Sequence, residues 1–482
     1  MPKAIKSITN PKLHLEILTP QEIKKIHDAT LWIIEKVGVR FPSKRALDIW
    51  AAHGATVDTG KMIVRAKAEL IEEALKTCPP VYPLSARDPQ QDLSLDGNHV
   101  FVGTDGCGVE VIDIQTGLRR TSCLQDVRDI SRIADATEEV AFHWVPVSAQ
   151  DMPPRTRGLH EIRAIWENST KHVQTESIYN EREAQAAMEM AGLLVGGKDK
   201  LRQRPVLSLM QCSAPPLGHD GGSLDAALVA AEYGIPTGFM TMAANLTTGP
   251  ATIAGNLVVG NAEVIAGAAL IQLAYPGAPV FYAAAQTASD LRTGAYTGGG
   301  PEDFLYGAAT NALSDFYHIP LSMGSFATGA KEPNWQAGIE NSLSTFMACI
   351  AMSDMLLGVG FLHGSRIWSF AEMMMDCEIF SIIHKTLQGI VVDDETLALD
   401  TIAAVGPGGN FLTQKHTLKH MRDLFLPQFM DRRPYGEWET KQDDARDWAL
   451  AKARKTLSTH QPDPLDEKIS AEMAKIISSQ ES

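Results

Sequence analysis

The amino-acid sequence predicts an α/β protein, a closed (β/α)8 or TIM barrel with helical extensions at the N-terminal and C-terminal ends of the chain. From about residue 99, short apolar strands alternate with longer helical segments, which is typical of a parallel sheet. Eight such units favour closure into a barrel, and polar side chains follow all eight strands, where a barrel enzyme places its active site. An open doubly wound sheet is the alternative, but no GxGxxG fingerprint stands at a strand–helix turn.

Residues 1–98 are predicted to form a helical N-terminal extension. Thr19 and Glu22 make a capping box with Pro20 in the first turn, so a helix should begin there and run to about Lys36. A second helix is predicted over residues 43–53. A short β segment at 55–64 and a third helix at 66–77 follow, and Pro79 and Pro80 end that helix.

Residues 99–388 are predicted to form the barrel. Apolar runs of strand length predict its eight strands at residues 100–104, 141–147, 172–176, 206–212, 236–242, 280–285, 321–326 and 356–362. Helical patterns separate them at residues 124–136, 181–194, 223–233, 253–275, 302–316 and 335–353. Residues 389–482 are predicted to be a C-terminal helical extension, with a turn at 405–409 (VGPGG) and a polar amphipathic helix at 465–482.

The stretch 279–303 is the clearest single βα unit. A strand with aromatic and small residues on alternating faces leads into a polar, glycine-rich loop that carries Gln286, Asp290, Arg292 and Tyr296. The next helix should begin at Pro301, because proline fits the first helical position and the carboxylates that follow suit the positive end of the helix dipole.

Composition excludes some classes of function. The formal net charge of −15 argues against a nucleic-acid partner, since phosphate binding needs a basic face. The N-terminus has no hydrophobic signal segment, and the apolar stretch 253–275 is interrupted by polar residues, so a buried barrel helix is expected there and no membrane span. The scattered cysteines favour a reduced, cytoplasmic setting: Cys78, Cys107, Cys123, Cys212, Cys349 and Cys377.

The polar residues that follow the strands are the candidate site. They are Asp105, Ser148, Asp151, Gln174, Glu176, Gln211, Ser213, Asn245, Thr247, Gln286, Asp290, Arg292, Lys331, His363 and Arg366. A hydrogen bond that holds a loop is the alternative for each one. Zinc could be bound by histidines scattered through the fold with Cys212 and Glu176, but no ligand spacing supports it, and no bound metal is expected. No GxSxG elbow is present for a serine hydrolase.

Aromatic and basic residues near the last three strands suggest a quaternary ammonium ligand. Aromatic faces hold such a cation by cation–π attraction, and the candidates are Tyr282, Tyr296, Phe326, Trp368 and Phe370. Arg292, Arg366 and His363 could hold a carboxylate. His363 is expected at the end of the eighth strand, on the face shared by residues 357, 359 and 361. Packing of the aromatics in the core, and a loop-holding hydrogen bond for His363, are the alternatives.

Six segments resemble the trimethylamine methyltransferase (MttB) superfamily. They are residues 248–255 (TGPATIAG), 261–264 (NAEV), 275–280 (YPGAPV), 290–295 (DLRTGA), 336–340 (QAGIE) and 405–412 (VGPGGNFL). The resemblance covers residues 15–455, in order. It implies a barrel enzyme that moves a methyl group from a methylated amine to the Co(I) of a separate corrinoid protein.

The resemblance also narrows the substrate. Trimethylamine members of the superfamily carry pyrrolysine in the barrel, whereas this sequence has an ordinary residue everywhere and so resembles the branch that demethylates quaternary amines. The resulting prediction is a glycine betaine:corrinoid protein methyltransferase that forms dimethylglycine, takes its cob(I)alamin on a partner protein and assembles as a homo-oligomer. Proline betaine, carnitine or butyrobetaine are alternative substrates. A non-catalytic betaine-binding barrel, and a barrel lyase with Asp290 or Glu176 as its base, are alternative functions.

Overall fold

Eight parallel strands form a closed barrel in the computed structural model, which describes residues 4–106 and 108–481. The strands are β1 (His99–Thr104), β2 (Val140–Trp144), β3 (His172–Thr175), β4 (Leu207–Cys212), β5 (Thr237–Thr241), β6 (Val280–Ala284), β7 (Leu321–Gly324) and β8 (Met355–Val359). They pair in chain order, and β8 pairs in parallel with β1, with Met355 opposite Phe101. The predicted barrel and all eight of its predicted strands are confirmed.

One helix follows each strand on the outside of the barrel. These helices are α1 (Leu124–Ala136), α2 (Arg157–Asn168), α3 (Glu181–Val195), α4 (Gly221–Glu232), α5 (Ile253–Ala274), α6 (Pro301–Tyr317), α7 (Trp335–Ile350) and α8 (Phe370–Leu387). Side-chain caps explain several starts, since Asp220, Thr252 and Ser369 each accept a hydrogen bond from a backbone N–H of the first turn. As predicted, α6 begins at Pro301, and the Asp303 carboxylate accepts from the backbone N–H of Gly300 at 2.7 Å.

Helix α5 is the one helix in the described residues that is long and apolar enough to cross a membrane. Of its most apolar window, 83% is buried within the protein. Its polar residues have partners inside the fold: the Glu263 carboxylate accepts from Ser213 Oγ at 2.6 Å and from Thr241 Oγ1 at 2.8 Å. Burial and internal partners are what a helix in the wall of the barrel requires.

The N-terminal segment contains the predicted helices but more strands than predicted. The capping box at Thr19 begins helix Pro20–Lys36, as expected, and helices Lys44–Ala52 and Ala68–Leu75 follow. The predicted β segment is two strands, which pair with a third in a small antiparallel sheet; the strands are Val39–Arg40, Thr56–Asp58 and Ile63–Arg65. Strand Ile8–Thr9 runs antiparallel beside β1.

A hairpin closes the amino-terminal end of the barrel, and this hairpin is absent from the sequence-based prediction. Its strands, Tyr82–Leu84 and Leu93–Leu95, flank the short 3-10 helix Pro89–Gln91. Tyr82 Oη donates to the carbonyl oxygen of Val280 at the start of β6, at 2.7 Å, and the backbone carbonyl of Ser85 lies 2.7 Å from His172 Nδ1 at the start of β3. The hairpin therefore forms the floor of the barrel.

Small strands extend the opposite, carboxyl-terminal face. The loops after β1 and β8 form a four-stranded sheet from Phe361–Leu362, Ile367–Ser369, Glu110–Ile112 and Arg119–Thr121. The loops after β5 and β6 pair in parallel through Ala244–Asn245 and Thr287–Ala288. These additions fix the loops that carry most of the predicted site.

Two long helices at the C-terminus pack against the barrel wall. Helix Ala445–Thr459 contacts α8 and buries Ala449 and Ala453, and helix Glu467–Glu481 contacts α3 and buries Met473 and Ile477. Before them the chain forms short elements, Asp394–Leu397, Leu399–Val405, Lys415–His420, Met421–Asp423 and Tyr435–Thr440. The division into domains at residues 98 and 388 stays a prediction.

Candidate active site

A cavity of about 1460 Å³ opens at the carboxyl-terminal face of the barrel. The carboxyl ends of β1 to β7 and the loops after β6, β7 and β8 line it. Drug-sized ligands occupy pockets of roughly 300–1,000 Å³. The cavity is therefore larger than one small metabolite needs.

Two carboxylates lie deep in the cavity. Asp105 follows β1 and Glu176 follows β3, and both side chains are almost fully buried while still lining the cavity. Cys212, at the end of β4, donates from Sγ to Glu176 Oε2 at 4.0 Å. Burial raises the pKa of the Cys212 thiol, and the negative charges of Glu176 and Asp105 raise it further. The thiol therefore stays protonated. Because both charges act on it, Glu176 and Asp105 both lie near Cys212.

The Asp105 carboxylate is held by its own loop and by the loop after β8. It accepts from the backbone N–H of Gly106 at 2.9 Å and from the Ser365 hydroxyl. Burial raises the pKa of Asp105 to about 6, although these two hydrogen bonds favour the ionised form. At neutral pH the cavity thus contains a buried negative charge without a cation partner among the described residues.

The aromatic side chain at this depth is Trp144, at the end of β2. It is buried and lines the cavity. A Cβ atom at Gly106 would lie 2.6 Å from its indole ring, so glycine is needed there for the β1 loop to pass across the ring. Sequence reasoning missed Trp144, because a tryptophan inside an apolar strand is indistinguishable from a core residue without the barrel geometry.

Charged side chains also stand at the rim of the cavity, on exposed loops. Arg292 is already paired, since its Nη2 lies 3.0 Å from Asp290 Oδ2. That guanidinium and the Arg292 backbone N–H lower the pKa of Asp290 to about 2. Asp290 is thus an ionised loop-holding carboxylate and a poor base, which corrects the expectation that it serves as a catalytic base.

Three further rim residues come from the loops after β7 and β8. Arg366 Nε lies 3.7 Å from Glu110 Oε2, a long contact. Lys331 Nζ donates to the backbone carbonyl of Gly329 and forms no ion pair among the described residues. His363 lines the cavity and is exposed, and partial burial together with the positive charges of Lys331 and Arg366 lowers its pKa, so its ring is neutral at pH 7.

His363 lies at the rim of the cavity, but it is not on the face of β8 where the sequence analysis expects it. Strand β8 ends at Val359, and Gly358 and Gly360 have φ values of +130° and +94°, which break the strand alternation. Leu357 faces the barrel interior, whereas Phe361 packs in the outer core. His363 reaches the rim because residues 361–369 form a separate hairpin.

The predicted aromatics divide between cavity and core. Tyr296 is 42% exposed and lines the cavity. Tyr282 points outward, where its Oη donates to Asn261 Oδ1 of α5 at 3.2 Å. Phe326, Trp368 and Phe370 are buried in the outer core, where Trp368 packs edge-on against Phe370 with ring centroids 6.3 Å apart. These four residues are not in position to contact a ligand in the cavity, which corrects that expectation.

The amide side chains predicted for the site also differ in their positions and hydrogen-bond partners. Asn245 lines the cavity, and its amide is held by the fold: Nδ2 donates to the Ala251 carbonyl oxygen at 3.1 Å, and Oδ1 accepts from Asn256 at 2.8 Å and from the Tyr306 hydroxyl. Gln286 lines the cavity, donates to the Asn256 carbonyl oxygen at 2.7 Å and has an Oε1 without a partner in the described chain. Gln174 is buried inside the barrel, and neither atom of its amide has a partner there.

The histidines considered for zinc do not converge. His143 and His172 are buried, with hydrogen bonds to Ser169 and to Ser85 and Ser208. Within residues 4–106 and 108–481, no three side chains of His, Cys, Asp or Glu form a metal-binding group. Five of the six cysteines are free thiols, and Cys107 lies outside the described residues.

The family described as trimethylamine methyltransferase (MTTB) matches this sequence over residues 1–482. The chain belongs to this family. MTTB-family membership makes it a methyltransferase, and it agrees with a barrel that opens a large cavity at its carboxyl-terminal face.

Curated MTTB relatives match nearly the whole chain. Trimethylamine methyltransferase MttB of Desulfitobacterium hafniense (strain DSM 10664 / DCB-2) is 33% identical over 460 residues, which cover 95% of this chain and 92% of the relative. Glycine betaine methyltransferase of Desulfitobacterium hafniense (strain Y51) is 33% identical over 465 residues, 96% of each chain. Relatives at the same identity thus bear the names of two different substrates.

Solved structures support the fold. The monomethylamine methyltransferase (MtmB) of Methanosarcina barkeri superposes with a TM-score of 0.51 at 12% identity, over 91% of this chain and 92% of that one. The hydroxylamine complex of MtmB gives a TM-score of 0.52 at 13% identity with the same coverage. At this identity the likeness concerns the barrel alone.

Proposed function

We propose that this methyltransferase moves a methyl group from glycine betaine to the Co(I) of a separate corrinoid protein and releases dimethylglycine. The observation that carries the proposal is the distribution of charge in the cavity. Asp105 and Glu176 lie deep beside Trp144, and the cationic side chain Lys331 stands at the rim. Glycine betaine is a zwitterion with a quaternary ammonium at one end and a carboxylate at the other, so this distribution fits it.

The deep end is suited to the ammonium group. A quaternary ammonium has no N–H and cannot donate a hydrogen bond, so it is bound by charge and by aromatic faces. The contact with Trp144 contributes on the order of 2 kcal/mol when the cation is desolvated. Asp105 and Glu176 add Coulomb attraction in a site of low dielectric constant.

The rim is suited to the carboxylate. Lys331 has no ion pair among the described residues, whereas Arg292 is held by Asp290. Arg366, at 3.7 Å from Glu110, is the second available cation. His363, with its neutral ring, donates a single ring N–H there.

The proposed reaction requires no acid or base from the protein, so the protein contributes chiefly by binding the substrate. The methyl carbon forms a bond to cobalt as its bond to nitrogen breaks, and the bonding pair returns to nitrogen, so a neutral tertiary amine leaves without a proton. The chain holds the cation, aligns one N–CH₃ bond and excludes water, which is catalysis by positioning and electrostatics. The cavity volume left over by a small betaine is available to the corrinoid partner.

The alternative functions receive less support. A lyase with Asp290 as base would need a carboxyl that accepts a proton near neutral pH, and its pKa is lowered to about 2. Relatives of this chain bear the name trimethylamine methyltransferase. Trimethylamine, however, has no carboxylate that the cationic side chains at the rim could bind. Proline betaine and carnitine carry the same two charges and remain alternative substrates. A betaine-binding barrel without turnover would also use the charges described.

The test is a methyl-transfer assay with the purified protein. Reduced cob(I)alamin is mixed with glycine betaine, proline betaine, carnitine, choline or trimethylamine, and formation of methylcobalamin is followed by absorbance. Fastest transfer is expected from glycine betaine, with little from choline or trimethylamine. Transfer from trimethylamine alone would overturn the proposal, and calorimetric binding of betaine without any transfer would favour the binding barrel.

A further inference from the structure

Three consecutive residues in the loop after β8 have a left-handed backbone. His363, Gly364 and Ser365 have φ values of +57°, +62° and +58°. Glycine adopts such values freely, but a Cβ atom crowds the backbone there, so His363 and Ser365 each cost conformational free energy. Strain of this kind persists only where surrounding contacts fix it, and it clusters at functional sites.

Neighbouring loops hold this turn on both sides. The backbone N–H of His363 donates to the Ala330 carbonyl oxygen, in the loop after β7, at 2.7 Å. On the other side, the Arg366 carbonyl oxygen accepts from the backbone N–H of Val109, in the loop after β1, at 3.1 Å. The backbone N–H of Arg366 donates to the Leu362 carbonyl oxygen at 3.1 Å and closes the turn. The strained turn is therefore fixed between two loops of the cavity mouth.

The turn carries side chains to two depths of the cavity. Ser365 is half-buried, and its hydroxyl donates to Asp105 Oδ2 at the deep end. His363 and Arg366, on either side of it in the chain, are exposed at the rim. A change of φ at Ser365 from positive to negative would swing its Cβ atom to another side of the chain. The strained backbone and the hydrogen bond to Asp105 therefore belong together.

We propose that Ser365 is a positioning residue of the methyl-transfer site, whose hydroxyl keeps the Asp105 carboxylate ionised and turned toward the quaternary ammonium group. The inference rests on the proposed function for the identity of the ligand. A hydroxyl that donates its hydrogen to a carboxylate favours the ionised form over the protonated one. Ser365 thus maintains the negative charge on which binding of the ammonium group depends.

The other titratable side chains around Asp105 do not favour its ionised form. Among the described residues they are Glu176 at the end of β3, Cys212 at the end of β4 and Tyr296 in the loop after β6. Burial raises the pKa of the Cys212 thiol, and a tyrosine phenol has an ordinary pKa of about 10, so both are neutral at pH 7. Glu176 adds only negative charge. Ser365 is therefore the described side chain that opposes protonation of Asp105.

The rim also has groups that carry charge or titrate, and a test has to separate them from Asp105. Arg366 and Lys331 lie on exposed loops, where solvent and salt screen their effect on a buried carboxylate. His363 titrates as well, because partial burial and these two cations lower its pKa. Replacement of Asp105 by an amide removes the deep titration and leaves the titration of His363 in place.

The first test is the pH dependence of ligand binding by the full-length protein. Calorimetry with glycine betaine and with choline compares the wild type, Ser365→Ala and the control Ser470→Ala. The Ser470 hydroxyl donates to Glu167 Oε1 at 2.6 Å outside the cavity, so the control removes the same kind of hydrogen bond. Loss of the Ser365 hydroxyl should raise the pH midpoint of Asp105 ionisation by about one unit.

Both ligands should therefore bind Ser365→Ala about five-fold more weakly than the wild type at pH 6, and within about two-fold at pH 8.5. The control should follow the wild type at both pH values. Ser365→Asn should restore the wild-type profile, because asparagine tolerates a left-handed backbone and its amide donates a hydrogen bond. Unchanged affinity in Ser365→Ala, or a loss that is equal at all pH values, would overturn the proposal.

The second test uses no ligand, so it separates this inference from the proposed function. Denaturant unfolding of the wild type, Ser365→Ala, Asp105→Asn and the double variant is measured at pH 4 and pH 8. Because the folded pKa of Asp105 is about 6, loss of the hydroxyl should lower stability more at pH 8 than at pH 4. This pH dependence should vanish in the Asp105→Asn background.

The two tests fail in different ways. A loss of stability that is equal at both pH values, with or without Asp105, would make Ser365 a purely structural residue and overturn the inference. A wild type that binds neither glycine betaine nor choline would contradict the proposed function, whereas the unfolding measurements would still decide whether Ser365 keeps Asp105 ionised.

Discussion

At the scale of single residues, Asp105 is a buried carboxyl retained at a cost in stability. Its pKa in the fold is about 6 and exceeds the ordinary value of 3.8, so its contribution to stability is complete below pH 4 and is lost as the pH rises through 6. The substitution Asp105→Asn should therefore change the free energy of unfolding more favourably at pH 8 than at pH 4, by about 3 kcal/mol. Denaturant unfolding at the two pH values measures this.

The same substitution should weaken substrate binding. A unit charge about 5 Å from a cation, at an effective dielectric constant near 20, contributes about 3 kcal/mol. Glycine betaine should bind Asp105→Asn roughly a hundred-fold more weakly at pH 8, and wild-type affinity should fall below pH 6 while that of the variant stays flat. A variant that is both more stable and equally active would show that Asp105 does not contribute to substrate binding.

A variant of Lys331 can distinguish binding of the carboxylate from binding of the ammonium group of the ligand. Because it has no ion pair among the described residues, Lys331→Gln should raise the apparent Kd for glycine betaine about ten-fold, the loss of one charge-assisted hydrogen bond. Choline has the same ammonium group but no carboxylate, so its binding should not change. His363→Ala should have a smaller effect, since its ring is neutral, with a melting temperature within a few degrees of wild type. Calorimetry with both ligands decides, and an equal loss for both would place Lys331 outside the carboxylate site.

At the scale of elements, α8 contains a buried acidic pair one turn apart. Asn341 of α7 donates to Glu372 Oε1 at 2.9 Å and to Asp376 Oδ1 at 2.8 Å, and the backbone N–H of Gly360 donates to Asp376 Oδ2 at 2.9 Å. Burial raises the pKa of Asp376 to about 8 and, with the charge of Asp376, raises the pKa of Glu372 well above its usual range. The pair is thus protonated at neutral pH and joins α8 to α7 and β8.

This pair should make the protein sensitive to mild alkali. Because the folded pKa values are raised above the ordinary values near 4, the stability that the pair contributes is complete below about pH 4 and is lost progressively as the pH rises to 8 and beyond. The melting temperature should drop between pH 7 and 9, and Asp376→Asn should reduce the drop, whereas Glu439→Gln at an exposed position should not. Equal pH dependence in all three proteins would contradict the assignment.

The elements of the barrel could be predicted from the sequence because each depends on local pattern. Strands such as β6 are short apolar runs bounded by proline and polar loops, and starts such as Thr19 and Pro301 follow from helix termini. The floor hairpin was missed because Tyr82–Leu84 and Leu93–Leu95 are three residues each and become strands only through their tertiary hydrogen bonds.

The site was predicted less well, for a different physical reason. Position after a strand identified Asp105, Glu176, Gln286, Tyr296 and His363 as cavity residues. It could not tell which side chains turn inward: Tyr282 faces α5, and Trp368 lies behind β8 because Gly358 and Gly360 change the direction of the chain. Trp144 was missed because the direction of its ring is set by packing against Gly106.

At the scale of the whole molecule, the N-terminal segment is needed by the barrel. Leu84 and Leu95 are fully buried and pack with Phe101 and Phe281 inside the barrel. Leu84→Ala should lower the free energy of unfolding by about 2–5 kcal/mol, and a chain that begins at residue 99 should not fold. Leu13→Ala, at an exposed position, should change stability by less than about 0.5 kcal/mol. Chemical denaturation measures all three, and a stable chain from residue 99 would show that the floor is dispensable.

The closed floor has a kinetic consequence. With the amino-terminal end of the barrel sealed by the hairpin, small molecules reach Asp105 and Glu176 through the same mouth that a corrinoid protein would occupy. The proposed reaction is then compulsorily ordered: betaine enters first, the corrinoid protein binds over it, and dimethylglycine departs last. Excess reduced corrinoid protein should therefore inhibit turnover in competition with betaine, and initial rates measured against both reactants would reveal that order.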